Sequence, residues 1–228
     1  MITTLPLWIS ILFCMIFLAT MALFYFSNNK PNKITLVILA WGTIHAVLAY
    51  QGFYLNTKTI PPRFALVFIP ATLLIIYGCL PKQHHWIYNN RNLTTSTLLH
   101  AVRFPIEIVL FYLFTNKMIP EIMTFEGFNF DIVVGIMAPI VSYLIWKKKL
   151  NTKILLLFNS IGLVLVLTIL VIALLSSELP FQQFGFEQPN KAINYFPFIL
   201  LPACIVPIVI YTHITDIIKL KEMLKTTK

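Results

Sequence analysis

The stretch 99-LHAVRFPIEIVLFYLF-114 decides how this chain is read. It is apolar enough to lie in a membrane, yet it carries His100, Arg103 and Glu107, with Pro105 between the two charges. If a helix enters the bilayer near Thr95, Arg103 is about 12 Å deep and Glu107 about 18 Å deep. Neither charge is near an end, where it could reach water. Two central charges cost about 6 kcal/mol on the insertion scale. The eleven Leu, Ile, Val and Phe residues from Leu98 to Phe114 contribute about 5 kcal/mol at roughly 0.3–0.6 each. Such a span is close to neutral alone and needs neighbours against which to turn its polar stripe.

The rest of the chain supplies them. Of its 228 residues, 58% are hydrophobic and 11% charged, against about half and a quarter in a soluble domain. Mean hydropathy is +0.83. Seven apolar segments are long enough to serve as spans: residues 5–26, 34–55, 64–80, 95–114, 130–146, 154–176 and 195–215. Proline and Asn/Lys clusters separate them, as turn signals do. The first segment has no basic n-region and is too long for a signal-peptide core, so it reads as a retained span. The expected fold is an all-α membrane protein, one domain over residues 1–228, built as a seven-helix bundle.

Basic residues orient it. With the N-terminus outside, the inner segments hold Lys30, Lys33, Lys82, Arg91, Lys147, Lys148, Lys149, Lys153, Lys219, Lys221, Lys225 and Lys228, twelve in all. The outer loops hold four: Lys58, Arg63, Lys117 and Lys191. That bias predicts a cytoplasmic C-terminus in a cell membrane. Residues 216–228 form a basic amphipathic tail suited to anionic inner-leaflet lipids. The net charge of +9 follows topology rather than one basic face, so no nucleic-acid partner is expected.

His100, Arg103 and Glu107 share one helical face, at i, i+3 and i+7. Arg103 and Glu107 are spaced to form an intrahelical ion pair. Pro105 removes the partner of the Ala101 carbonyl and bends the helix. The chain has fourteen lysines and three arginines, and a guanidinium in a span suits a carboxylate or phosphate. His100, Asn159 in the sixth span and His213 in the seventh fall at similar depth in the cytoplasmic half, with Arg103 slightly deeper and with Glu107 and His45 of the second span nearer the centre. One polar cavity open to the cytoplasm would explain them together. Pro202 and Pro207 predict a bent or broken seventh span, with Pro197 opening it. The outer stretch 121-EIMTFEGFNFD-131 mixes Phe, Gly and acids. It is expected to cap the bundle with the 181–190 loop, or to form a weak cation-attracting mouth.

These residues point to a binding or transport protein for a small solute or anion, or a proton-coupled one. Intramembrane ionisable groups mark such pathways. Arg103, Glu107, His100, His45, Asn159 and His213 are the candidate binding residues. A second reading is a membrane enzyme or redox protein in which His45, His100 and His213 ligate a metal or haem, assisted by Glu107 or Asp216. A third is an accessory subunit whose polar stripe mates with another membrane protein. No motif indicates a cofactor. The last span has no lysine in its membrane part for a retinal Schiff base and no paired histidines for zinc. Cys14, Cys79 and Cys204 read as packing residues.

Overall fold

The computed structural model describes residues 2, 4–57, 59 and 61–226. Lys58 and Lys228, counted above for topology, lie outside the described residues. Among those described the chain is all helical, with no strand. Nine α-helices follow in order: α1 Leu7–Ser27, α2 Asn32–Tyr50, α3 Ala65–Gly78, α4 His84–Asn90, α5 Leu93–Leu99, α6 Arg103–Thr115, α7 Asp131–Trp146, α8 Thr152–Leu175 and α9 Val206–Thr226.

Each apolar segment of the sequence forms helix, but not seven equal spans. Five helical stretches are long and apolar enough to cross a membrane. They are α1, α2, the continuous Leu93–Thr115, α8, and Leu201–Thr226. Helix α3 and Pro81–Asn90 pass the same test only together, with a bend of 59° between them, as a broken span or a re-entrant loop has. Helix α7 is apolar but has 16 residues, about 24 Å of length.

The helix ends follow from local chemistry. Asn92 and Asn151 cap α5 and α8, their side chains accepting from the N–H groups of Thr95 and Lys153. Helices α6 and α7 end on lysines in the left-handed region, Lys117 and Lys148, and α1 is followed by two such residues, Asn29 and Lys30. At α6 the Met118 N–H donates to the Leu113 carbonyl, and at α7 the Lys149 N–H donates to that of Leu144. These bonds satisfy carbonyls the helices leave free.

Prolines shape two spans. Between α5 and α6, His100–Val102 tightens into one 3₁₀ turn just before Pro105, so the helix continues without a sharp break. The last apolar helix opens as a π-helical segment, Leu201–Ile205, which contains Pro202, and Pro207 follows as the second residue of α9. Pro197 lies before this helix, not in its first turn. Helix α9 then runs unbroken through the tail to Thr226, burying Asp216 and Leu220.

Apolar side chains form the outside of the bundle as well as most of its core. The exposed surface is apolar, with Leu36, Val37, Leu73, Val164 and Val171 all more than half exposed. The interior holds Thr20, Ser96, His100, Arg103, Asn159, Thr212, His213 and Asp216. An apolar surface of this extent suits lipid rather than water.

Two glycines set the central contacts. Gly135 lets α7 lie against the backbone of Phe104, where no Cβ fits. Gly162 admits His213 of α9: a Cβ there would lie 2.5 Å from the imidazole Cε1. Helix α7 runs antiparallel to α5–α6, with Ser142 bonded to the Thr94 carbonyl and Asp131 bonded to Arg103. The short α7 therefore starts beside the middle of its neighbour. The chain from Asn116 to Phe130 fills the remaining length by folding back into the bundle.

Candidate functional site

The centre of the bundle holds a polar cluster drawn from four helices. Arg103 sits at the start of α6 and is 2% exposed. Its Nε donates to Asp131 Oδ2 at 3.0 Å and its Nη2 to Asp131 Oδ1, a bidentate pair. Its Nη1 donates to the Gly162 carbonyl at 3.3 Å and faces His213 Nε2 at 3.2 Å. Arg103 and Glu107 form no ion pair among the described residues. The partner is Asp131, 28 residues away, because the fold-back of the preceding loop delivers the α7 N-terminus to this depth.

These contacts fix the tautomer of His213. Arg103 can only donate, so Nε2 accepts. Nδ1 lies 3.0 Å from Asn159 Oδ1, and the Asn159 amide is oriented by its own donation to the Leu155 carbonyl. Nδ1 therefore carries the proton. His100 stacks on His213 with ring centroids 3.6 Å apart and planes 5° from parallel. Both ring nitrogens of His100 are buried without a hydrogen-bond partner.

Glu107 stands one turn beyond Arg103. Its Oε1 accepts from Asn129 Nδ2 at 2.6 Å. Asn129 is oriented by its Oδ1, which accepts the Asp131 N–H at the head of α7. Glu107 Oε2 is buried and unpartnered. Two carboxylates thus face one guanidinium.

A cavity of about 80 Å³ adjoins this unit. Arg103, Glu107, Asn129, Asp131 and Asn190 are its polar lining residues, and apolar residues of α3, α6, α8, α9, the π-helical segment and the adjoining loops form the rest. The loops pack together over this end of the bundle. Gln188 Nε2 donates to the Phe114 and Ile119 carbonyls, and the Lys191 N–H to that of Met118.

A second buried charge cluster lies at the end where α1 finishes. Arg91 Nε donates to Asp216 Oδ1 at 2.6 Å, Nη1 to Asn28 Oδ1 and Nη2 to the Thr212 carbonyl. Ser96 donates to Asp216 Oδ2 at 2.7 Å, and Lys219 caps the carbonyls of Tyr88 and Arg91.

Of the residues predicted from sequence, Arg103, His100, Asn159 and His213 converge in one cluster and Glu107 adjoins it. His45 does not join them. It is buried on the same inward face of α2 as Gly42 and Ala49, where it packs on Trp41 and bonds Tyr54 through Nδ1. The convergent residues form packed interior, and the cavity lies beside Arg103 and Glu107 rather than among the histidines. His100 and His213 cannot share a metal ion in this arrangement, since an ion lies in the plane of each ligating ring and parallel planes do not meet. Among the described residues no three His, Cys, Asp or Glu side chains group as metal ligands.

Sequence reasoning missed Asp131 and Asn129, placed in an outer cap, and Arg91 and Asp216, placed at the inner surface. The available signal was the arginine itself: Arg91 and Arg103 are both buried, and Arg63 donates to the Phe53 carbonyl and lies over its ring.

No curated protein and no solved structure matches the chain. Residues 65–221, which include both charge clusters but neither His45 nor Asn28, match the family described as Domain of unknown function (DUF8737), and the chain belongs to that family.

Proposed function

We propose that this chain is a seven-span membrane protein that binds or transports a small solute in exchange for a proton carried by Glu107. The observation that carries this reading is the charge count at the cavity. Asp131 already neutralises Arg103, so Glu107 has no counter-charge of its own. A buried carboxylate without one costs several kcal/mol. A proton or a cationic solute removes that cost, and exchange of one for the other is an elementary coupling step. Arg103 is less suited to receive an anion, because its Nε, Nη1 and Nη2 donate within the protein. In this reading the Arg103–Asp131 pair holds the wall in place and Glu107 works.

In the membrane, α7 serves as the short fifth span and α3 with α4 as a broken third. The Arg91 end faces the cytoplasm, where Lys30, Lys33, Lys82, Lys147, Lys148, Lys149 and Lys153 gather. The exposed Lys221 and Lys225 lie along anionic headgroups of a cell membrane.

The test is difference infrared spectroscopy on protein in lipid nanodiscs. Wild-type protein should show a protonated-carboxyl band that titrates with pH and disappears in Glu107→Gln. A titration in which that band is unchanged by the substitution would remove Glu107 from the mechanism.

A further inference from the structure

The cavity specifies its occupant more closely than a small solute. Besides Glu107 Oε2, a second wall residue holds a buried oxygen with no partner, Asn190 Oδ1. The Asn190 amide nitrogen is spent on the Ala173 carbonyl and Ser177 Oγ, so what remains is an acceptor. Both residues are at least 98% buried. Leaving such oxygens unpaired costs about 1–3 kcal/mol each, so the site is short of donors and of positive charge. The remaining wall is apolar: Phe68, Leu110, Val166 and Leu170 are among its residues. Phe64 and Phe68 add aromatic rings of the kind that attract cations.

Resting on the reading of Glu107 as the exchangeable proton site, we infer that the cavity binds a small primary ammonium ion with a short apolar body. The ammonium supplies three donors and one positive charge. An alkyl chain meets the apolar wall. An anion would set a second negative charge beside Glu107. The volume, about 80 Å³, is near half of the ~150 Å³ apolar cavity that holds benzene, so the body is about three or four carbons long. On binding, the Glu107 O–H bond breaks and the proton leaves to solvent. The carboxylate then accepts an N–H from the ligand, and the charge of the site is unchanged.

The experiment is calorimetric titration of the protein in nanodiscs with propylammonium, 1-propanol and propionate, in weak buffer with a pH dye. Propylammonium should bind saturably and release up to one proton, and its affinity should rise with pH by up to about tenfold per unit. Glu107→Gln should weaken that binding at least tenfold and abolish the pH dependence. Leu170→Phe, which adds bulk to the cavity from α8 and leaves the Glu107 carboxyl in place, should weaken it as well in protein of unchanged helicity. Preferential binding of propanol or propionate overturns the ammonium assignment but leaves a solute site with Glu107 as its proton group. Binding of propylammonium that both variants leave intact places it elsewhere and overturns the assignment. If no probe binds while the Glu107 infrared band still titrates, the ligand class fails and the proton site stands. If that band is absent too, both fail.

Discussion

Two arginines are buried in this bundle, and their surroundings differ in a way that separates a clamp from a site. Around Arg91 no carboxylate is left over: Asp216 pairs with the guanidinium, Lys219 adds a second cation, and Asn28, Ser96 and the Thr212 carbonyl complete the hydrogen bonds of the pair. Around Arg103 one is. A second carboxylate, Glu107, has an unpartnered oxygen, His100 has two unpartnered nitrogens, and a cavity touches the wall. Burial and charge are common to both. What differs is the excess of one negative charge and the space beside it. A fully paired buried cluster fixes helices; one with a group left over can exchange something.

The largest expected effect is at the closed cluster. Asp216→Ala leaves Arg91 buried without a counter-ion, which costs about 3–5 kcal/mol. Denaturant unfolding of purified protein should show it, and Arg91→Leu combined with Asp216→Leu should recover at least half of the loss. An Asp216→Ala protein as stable as wild type would remove the distinction between the two arginines.

At the open cluster the matching substitution should be milder. Asp131→Ala also strips an arginine of its partner, but Glu107 lies one turn away on the same helix and within electrostatic reach of Arg103. Its carboxylate can turn to the guanidinium, so the loss should fall to about 2–3 kcal/mol. Adding Glu107→Gln removes the substitute, and the pair should then cost more than the two changes summed. Additive losses would mean that Glu107 never reaches Arg103.

The all-helical build with several apolar helices long enough to cross a membrane was legible, because long apolar runs between Asn/Lys turns leave little choice in a chain this hydrophobic. The count of seven was not, since five helices pass that test alone and one bent pair adds a sixth. The similar depth of His100, Asn159 and His213, with Arg103 slightly deeper, was legible too, since depth along antiparallel helices can be counted from their ends. That they meet was not, because counting gives depth and not facing. Asp131 and Asn129 were not. Counting assumes that each loop lies clear of the bundle, and here residues 116–130 turn back into it to meet the short α7. The shortness of the fifth segment was the visible trace of this. Arg91 was hidden by the same assumption, because a basic residue between spans reads as a topology signal until Asp216 is seen to lie beside it. The choice of arginine over lysine was the one clue to both, and it names no partner.

Packing around the open cluster provides a smaller effect. In Gly162→Ala the new methyl would meet His213 at 2.5 Å from Cε1 and 2.7 Å from Nε2. The ring must move off Arg103 or α8 must separate from α9, at about 1–3 kcal/mol. A nitrogen NMR spectrum of the histidines should show His213 losing its Nδ1–H tautomer preference. An unchanged spectrum would mean that Asn159 alone holds the ring.

The smallest stability effect is expected at the residue given the most functional weight. Glu107→Gln preserves shape, and the amide oxygen can still accept from Asn129. It removes a charge that has no counter-ion, so the folded state should lose less than about 1 kcal/mol or gain slightly. Asp216→Asn makes the same chemical change at the closed cluster and should cost several times more, because there the charge is the partner of Arg91. Comparing the two amide variants under one unfolding protocol cancels the chemistry of the substitution and leaves only the setting. A stable Glu107→Gln beside a crippled Asp216→Asn is the result expected if the first carboxylate is kept for exchange and the second for the fold. Equal losses would make Glu107 another structural charge, with Arg103 shared between two carboxylates.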